Sequence, residues 1–334
     1  MKKIYILFFF SFLLISSVLS QNIVYIDGIP RDTSFTVYGT YIKERKNRPH
    51  IKPIYPNLPE NVEAHEGLVY STLVKTQYGD RDLHLNLYRP KDDKKYPALL
   101  MVHGGGWSSG DLTLQVPMAQ QIAAEGYVTI PVEYRLSSEA KYPAAVFDLK
   151  TAVKWIRKNA DKYGIDTTKI AISGCSAGGQ LANLIGATNG NPAYEDKTRE
   201  YAEFSSDVHA VINVDGISDF TTDQSVNSAK EALKKNKIPA SVKWFDGTFD
   251  EKKENWIAAS PLFQVTEKSV SVCFINSSID RFHDGRDEMI AKLNTYNIYT
   301  EVHTIPETPH PFWLLYPWFD TTVYYMVSYL DKVF

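Results

Sequence analysis

The sequence predicts an α/β protein whose central sheet is mostly parallel, with helices on both faces. Three observations support this prediction. Apolar runs of strand length alternate with segments of helix length from Gly67 to the C-terminus, which is typical of a parallel sheet. Several of these runs end in glycine-rich loops, and residues that follow parallel strands collect at the carboxyl edge of the sheet. With 334 residues, 44% of them hydrophobic, the chain is long enough to bury one large core.

Two segments precede the predicted catalytic domain, which spans residues 66–334. Residues 1–20 combine a positively charged start, an apolar stretch and small residues before Gln21, a pattern typical of a cleaved signal peptide. We therefore expect a secreted or periplasmic protein that begins near Gln21. The mature chain should have no membrane span, which needs about 20 apolar residues. Residues 21–65 show no periodicity, and we interpret them as an extended N-terminal arm packed on the catalytic domain.

Apolar patterns predict the early elements of the catalytic domain. Residues 69–75 and 83–88 predict an antiparallel pair of strands at the sheet edge, and residues 127–133 a further strand. Residues 144–163 carry apolar side chains at helical spacing. Gly164 is the residue expected to end that helix.

Two longer insertions interrupt the regular alternation. Residues 188–207 follow the helix after the central motif, and residues 220–260 follow the next strand. Insertions at these places commonly cover an active site, so we interpret both as cap-like, with ordinary surface excursions as the alternative. Asp148 lies inside a predicted helix, and we expect it to form a structural ion pair with Arg135.

The motif at residues 174–179, Gly-Cys-Ser-Ala-Gly-Gly, is the most informative one in the chain. It follows an apolar strand and opens a helix, which is the context of the G-x-S-x-G nucleophile elbow. Ser176 is therefore the predicted nucleophile, and the backbone N–H of Ala177 a predicted oxyanion donor. Cys175 is a much weaker nucleophile candidate. Because one strand should separate Cys175 from Cys273, we expect two buried free thiols rather than a disulfide.

A second motif supplies the rest of the predicted oxyanion hole. The buried strand 96–102 runs into His103-Gly104-Gly105-Gly106-Trp107, which is a loop of the HGGG type. Its glycines allow backbone N–H groups to approach a substrate carbonyl without an intervening Cβ. The predicted donors are the N–H groups of Gly105, Gly106 and Trp107.

His310 is the predicted general base. It lies on a loop beyond the strand 299–305, where it can accept the proton of Ser176, a weak nucleophile by itself. His283 is the competing histidine, although it is close in sequence to the predicted acid.

Asp280 is the predicted acid of a Ser-His-Asp triad. It follows the strand 270–276, and the order Ser176, Asp280, His310 matches the order of this architecture. Asp284 in the same loop and Asp215 at the end of the preceding strand remain alternatives.

Aromatic side chains next to these motifs bear on the substrate. Trp107 and Trp313 are candidates for stacking on a sugar or ferulate ring, with core packing as the alternative for Trp313. No broad apolar helix indicates a lipid-binding lid, which disfavours long-chain lipase activity.

These motifs, together with Glu133-Tyr134-Arg135-Leu136, resemble the α/β-hydrolase superfamily, near the hormone-sensitive-lipase-like carboxylesterases. The ending 309–319, Pro-His-Pro-Phe-Trp-Leu-Leu-Tyr-Pro-Trp-Phe, resembles secreted bacterial carbohydrate esterases that remove acetyl, feruloyl or methyl esters from xylan or pectin. The resemblance runs from about residue 66 to the C-terminus. It departs at Cys175, where the lipase-like relatives usually carry an acidic residue. It implies an α/β-hydrolase fold and a secreted serine esterase acting on plant or algal polysaccharides.

Composition excludes other classes of partner. The net charge is −3 and no basic cluster occurs, so we expect no nucleic-acid partner. No CxxC, HExxH or acidic calcium loop occurs, so the sequence implies neither a metal nor a cofactor. The expected partner is an acylated polysaccharide or oligosaccharide. A generic small-molecule carboxylesterase is the first alternative, and a serine peptidase the second.

Overall fold

The structure is a computed structural model that describes residues 23–26 and 28–334. The predicted signal peptide and the start at Gln21 lie outside these residues. The strands are β1 (Ile23–Ile26), β2 (Ile29–Asp32), β3 (Lys52–Pro53), β4 (Val62–Thr76), β5 (Gly79–Pro90), β6 (Tyr96–Val102), β7 (Val128–Val132), β8 (Ile165–Cys175), β9 (Ala210–Val214), β10 (Ser271–Asn276), β11 (Thr300–Thr304) and β12 (Leu315–Tyr316). The α-helices are α1 (Val37–Glu44), α2 (Val116–Ala124), α3 (Ala144–Lys158), α4 (Ala160–Tyr163), α5 (Ala177–Ala187), α6 (Asp223–Lys234), α7 (Ala240–Phe245), α8 (Lys253–Ala258), α9 (Pro261–Gln264), α10 (Arg286–Thr295) and α11 (Trp318–Val333).

Eight strands form one sheet in the order β11-β10-β9-β8-β6-β7-β5-β4. The pairs from β11 to β7 are parallel, and only β7–β5 and β5–β4 are antiparallel. The predicted mostly parallel α/β sheet is thus confirmed. The predicted antiparallel pair is also correct, although both strands are longer than their apolar cores indicated.

The sheet separates two hydrophobic layers, because successive side chains of a strand point to opposite faces. In β6, Leu100 belongs to the layer under α3 and α5, while Leu99 and Met101 belong to the layer under α2 and α11. None of the helices in the described residues is both long and apolar enough to cross a membrane.

Local predictions hold in the middle of the chain. The helix predicted for 144–163 is present as α3 followed directly by α4, and Gly164 ends it with φ 61°. Cys175 and Cys273 are buried free thiols, and β9 lies between their strands as expected.

The segment before β4 has more structure than the extended arm that the sequence predicted. It contains the β1–β2 hairpin and the helix α1, whose first turn is capped by the Thr36 hydroxyl accepting from the N–H of Gly39. Farther on, β3 pairs with β12, and Ile51 and Ile54 are buried in the layer under α11. Short elements like these depend on the surface beneath them, which a local pattern does not reveal.

The two insertions have different positions. The first is held by Arg199, which donates to Asp148 at 3.0 Å and to the Ser71 hydroxyl at 2.8 Å, and its cap-like role stays a prediction. The predicted pair of Asp148 with Arg135 is present at 2.8 Å. The second insertion carries α6 to α8, and its residues line a cavity beside Ser176.

Candidate active site

Ser176 occupies the sharp turn between β8 and α5. Its backbone has φ 54° and ψ −118°, an unfavourable conformation for a residue with a side chain. A Cβ on Gly174 would lie 2.1 Å from the carbonyl oxygen of Gly178, and a Cβ on Gly178 would lie 2.2 Å from the carbonyl oxygen of Val102, so α5 can approach β8 and β6 this closely only because both residues are glycine. The turn therefore has the geometry of a nucleophile elbow.

The hydroxyl of Ser176 is hydrogen-bonded to His310. Its Oγ lies 2.7 Å from His310 Nε2, so the structure brings together the two residues that the sequence paired. Phe282 stacks on the imidazole with ring centroids 3.4 Å apart. Trp313 meets the imidazole edge-on at 5.2 Å. The ring is thus held in one orientation by the residues around it.

The carboxylate beside His310 belongs to Asp215, and the prediction of Asp280 is wrong on this geometry. Asp215 Oδ2 lies 2.8 Å from His310 Nδ1, and the side chain is fully buried. Its other oxygen accepts the N–H of Ser277 at 2.8 Å. Asp280 is exposed and lies four residues beyond the end of β10. Asp215 follows β9 directly, so its carboxylate stays at the sheet edge, where it reaches His310 Nδ1.

His283, the competing histidine, and Asp284, an alternative acid, make other contacts near the site. Nε2 of His283 lies 3.8 Å from Asp215 Oδ1, too far for a hydrogen bond. Asp284 accepts the hydroxyls of Thr222 and Ser225 at 2.8 and 2.6 Å, which fixes the start of α6 over the site.

The electrostatics of the site favour a neutral imidazole. Burial lowers the pKa of His310 below its ordinary value, the hydrogen bond and charge of Asp215 oppose that shift, and Arg281 and Lys43 lower the pKa further. An ionised carboxylate only accepts hydrogen bonds, so Asp215 holds the single proton on Nδ1. Nε2 is then free to accept the proton of Ser176. Burial raises the pKa of the Cys175 thiol to about 12, which makes it a poor nucleophile.

The glycine loop lies directly against the elbow. A Cβ on Gly104 would be 3.2 Å from Cβ of Ser176 and 2.8 Å from the carbonyl oxygen of Cys175. Within the described residues, no hydrogen bond uses the N–H of Gly105, Gly106 or Ala177 as a donor. These groups remain candidates for holding an oxyanion beside Ser176, and the predicted role of the Trp107 N–H remains a prediction.

A first cavity of about 420 Å³ opens on one side of Ser176 and is mostly apolar. Its lining includes Trp107, Phe220, Ala229, Ala232, Pro239 and Trp256. The indole of Trp107 is fixed by donating to Gln180 Oε1 at 2.9 Å and by stacking on Trp244 at 4.8 Å. The volume lies within the range of small-molecule sites, about 300–1,000 Å³.

A second cavity of about 570 Å³ also borders Ser176 and is more polar. Its lining includes Thr40, Lys43, Arg48, Ser109, Arg281 and His310. Helix α1 of the N-terminal segment therefore forms part of the site, which the sequence did not indicate because α1 lies far from every catalytic motif.

The two predicted aromatic contacts differ. Trp107 does line the first cavity. Trp313 is only 1% exposed and packs in the layer under α11, so its predicted contact with substrate is wrong. Trp313 is buried beneath His310 and packs against its imidazole instead.

One group of side chains has the composition of a metal site. The ligand atoms of Cys273, Glu301 and His303 lie within 4.8 Å of one another on β10 and β11. Glu301 already binds the ammonium of Lys332 at 2.8 Å, accepts from Tyr299 at 2.7 Å, and is hydrogen-bonded to His303. Its charge is thus compensated by the protein itself.

Comparison with known proteins agrees with this architecture. The BD-FAE family model matches residues 85–285, which is more than half of the chain. The chain is similar to Esterase LipC of Mycobacterium tuberculosis, with 32% identity over 207 residues that cover 61% of this chain and 50% of LipC. The match therefore spans about half the length of that curated relative.

Solved structures share the fold. A truncated carbohydrate esterase from gut microbiota superposes with a TM-score of 0.68 at 19% identity, covering 84% of this chain and 99% of that one. The bifunctional GH43-CE of Bacteroides eggerthii gives a TM-score of 0.65 at 22% identity, covering 80% of this chain and 38% of that one. The fold is thus that of the α/β-hydrolase esterases.

Proposed function

Since this chain belongs to the BD-FAE family, we propose that it is a serine esterase with Ser176 as nucleophile, His310 as base and Asp215 as acid. One observation carries the proposal. A continuous chain of hydrogen bonds joins Ser176 Oγ to His310 at 2.7 Å and His310 to buried Asp215 at 2.8 Å. Nucleophile, base and orienting carboxylate in this order are the parts of a hydrolytic triad.

The first half-reaction forms an acyl-enzyme. Ser176 Oγ attacks the ester carbonyl while His310 Nε2 takes its proton, and Asp215 stabilises the resulting imidazolium. The carbonyl oxygen becomes an oxyanion that the N–H groups of Gly105, Gly106 and Ala177 receive. When the intermediate collapses, the bond to the leaving alcohol breaks and His310 gives its proton to that oxygen.

The second half-reaction restores Ser176. A water molecule loses a proton to His310 Nε2 and attacks the acyl carbonyl, and the same N–H groups receive the oxyanion. The bond between the acyl carbon and Ser176 Oγ then breaks, and His310 returns the proton to Oγ. The products are a carboxylic acid and free enzyme.

The first cavity is proposed to hold the acyl group. It adjoins Ser176 and Ala177 and has an apolar lining that includes Phe220 and Trp256. Its volume exceeds the size of an acetyl group, so short alkyl and aromatic acyl groups such as feruloyl fit the same space.

The proposed substrates are acetyl, feruloyl or methyl esters of plant or algal polysaccharides. Two points support this choice: the predicted signal peptide of residues 1–20, with export of the mature chain, and the carbohydrate esterase among the similar structures. The second candidate is a generic carboxylesterase, which the similarity to Esterase LipC favours.

Replacing Ser176 with Ala tests the proposal directly. Hydrolysis of p-nitrophenyl acetate should fall by a factor approaching roughly 10⁶ if the triad acts as a unit. The variant should keep the circular dichroism spectrum of the wild-type protein, because Oγ makes no contact in the core. A Ser176→Ala protein that retains a tenth of the wild-type rate would refute the role of this residue.

The substrate is tested on glycans. Acetate, ferulate and methanol release should be measured on acetylated xylan, feruloylated arabinoxylan and pectin, with Ser176→Ala as the blank. Ser176-dependent release from at least one of them is expected. Activity confined to chromogenic esters would contradict the glycan substrates and favour the second candidate, a generic carboxylesterase.

A further inference from the structure

The second cavity is on the side of the leaving alcohol. In the proposed reaction, His310 gives a proton to the leaving oxygen, which must therefore lie next to His310 Nε2. Among the residues described, His310, Pro309 and Pro311 line the second cavity, and none of the three lines the first. The proposed reaction thus assigns the acyl group and the alcohol to two different cavities, which meet at Gly106, Ser176, Arg281 and Phe282.

The lining of the second cavity carries an excess of positive charge. Its charged residues are Lys43, Glu44, Arg48 and Arg281, the last of which also borders the first cavity. Arg48 donates to Glu44 at 2.9 Å, and Lys43 Nζ is 3.9 Å from the same carboxylate. Within the described residues Arg281 has no ion pair, and its guanidinium carbon lies 4.3 Å from the centre of the Phe282 ring. One carboxylate therefore faces three cations.

These cations act on the catalytic imidazole. Phe282 separates Arg281 from His310, since it contacts the guanidinium on the one hand and stacks on the imidazole at 3.4 Å on the other. Both Arg281 and Lys43 lower the pKa of His310. They consequently disfavour the imidazolium that must form in the reaction. An anion bound between them would remove this penalty.

We propose that the second cavity binds a carboxylate carried by the leaving alcohol, so that the preferred substrates are acyl esters of acidic saccharides that contain uronate residues. This inference rests on the proposed function and specifies its alcohol side. Lys43 and Arg281 come from separate segments, α1 and the loop after β10, and Glu44, which is closer to Arg48, cannot neutralise all three cations. The planar guanidinium of Arg281 can donate two parallel hydrogen bonds to a carboxylate.

A pair of sugars that differ in one group tests the inference. Methyl O-acetyl-galacturonoside and methyl O-acetyl-galactoside have the same ring stereochemistry, and only the first has a carboxylate at C6. The ratio of their kcat/KM values, acid over neutral, is measured for the wild-type protein, Lys43→Ala, Arg281→Ala and the double variant. Because each ratio is taken on one protein sample, the folded fraction cancels.

The wild-type ratio should exceed one, and each single substitution should lower it by about two- to fivefold, the effect of a solvent-exposed ion pair. The double variant should approach a ratio of one, and added salt should weaken the wild-type preference. Lys46→Ala is the matched control, because Lys46 is exposed close to α1 but does not line the cavity, and its ratio should stay at the wild-type value.

The failures of the two proposals are distinguishable. Ser176-dependent cleavage of p-nitrophenyl acetate together with a wild-type ratio of one, or a ratio that the double variant leaves unchanged, would overturn this inference alone. No Ser176-dependent cleavage of p-nitrophenyl acetate or of either sugar would overturn the proposed function with it.

Discussion

At the scale of single residues, the site is defined by what surrounds the imidazole of His310. Ser176 and Asp215 are hydrogen-bonded to its two nitrogens, while Phe282 covers its face and Trp313 its edge. The hydrogen bonds to Ser176 and Asp215 set the positions of the protons, and the contacts with Phe282 and Trp313 set the orientation of the ring. Asp215 is buried and strained, with φ 54°, which is the kind of backbone cost that functional sites retain.

Asp215→Asn and Asp280→Asn form a matched pair of substitutions. Asp215→Asn should lower kcat for p-nitrophenyl acetate by roughly 10⁴, because an amide no longer holds the proton on His310 Nδ1 or stabilises the imidazolium. Asp280 is exposed and makes no side-chain hydrogen bond to His310, so Asp280→Asn should have the wild-type kcat. The reverse order of effects would return the acid role to Asp280.

At the scale of secondary structure elements, α6 forms one wall of the proposed acyl site. Its apolar side, with Ala229 and Ala232, lines the first cavity. Asp284 holds the N-terminal end of the helix through the hydroxyls of Thr222 and Ser225. The helix is therefore anchored at one end to the loop after β10. This loop also carries Phe282, so the same loop positions one wall of the first cavity and the imidazole of His310.

Ala232→Trp should narrow the first cavity. The kcat/KM for p-nitrophenyl butyrate should fall about tenfold relative to that for acetate, since the added ring takes the space of the longer acyl chain. Asn227→Trp on the exposed side of the same helix is the control and should leave the butyrate to acetate ratio unchanged. An equal ratio in both variants would place the acyl group elsewhere.

At the scale of the whole molecule, one buried charge cluster connects distant parts of the chain. Asp148 on α3 is fully buried and binds Arg135 after β7 and Arg199 in the first insertion. Arg199 continues to the Ser71 hydroxyl on β4. The first insertion thus links α3 to the edge strand β4 through contacts separate from those of the proposed catalytic residues.

Asp148→Asn should destabilise the fold. Removing the charge leaves two largely buried guanidinium groups without their carboxylate, which typically costs about 3–5 kcal/mol of unfolding free energy. Urea denaturation followed by circular dichroism measures the change. Asp161→Asn is the control, because Asp161 is exposed in its pair with Lys95, and its urea midpoint should match that of the wild-type protein. Equal midpoints for all three proteins would contradict the structural role of Asp148.

The sequence by itself determined the α/β class, the order of the central strands along the chain, the elbow at Ser176 and the histidine at His310. These features are local, because strand runs, glycine spacing and the residue after a turn follow from backbone sterics and from which side chains avoid water. The sequence also predicted that Cys175 and Cys273 are too far apart to form a disulfide, because one strand had to lie between their strands.

Only the tertiary structure decided the rest. Asp215 and Asp280 both follow strands that end at the same edge of the sheet, and the choice between them depends on how far each loop carries its carboxylate from that edge. Trp313 is adjacent in sequence to His310 but is buried beneath it, and α1 reaches the site from far upstream in the chain. Such contacts are set by the packing of segments that are remote in sequence, so no pattern within one segment could contain them.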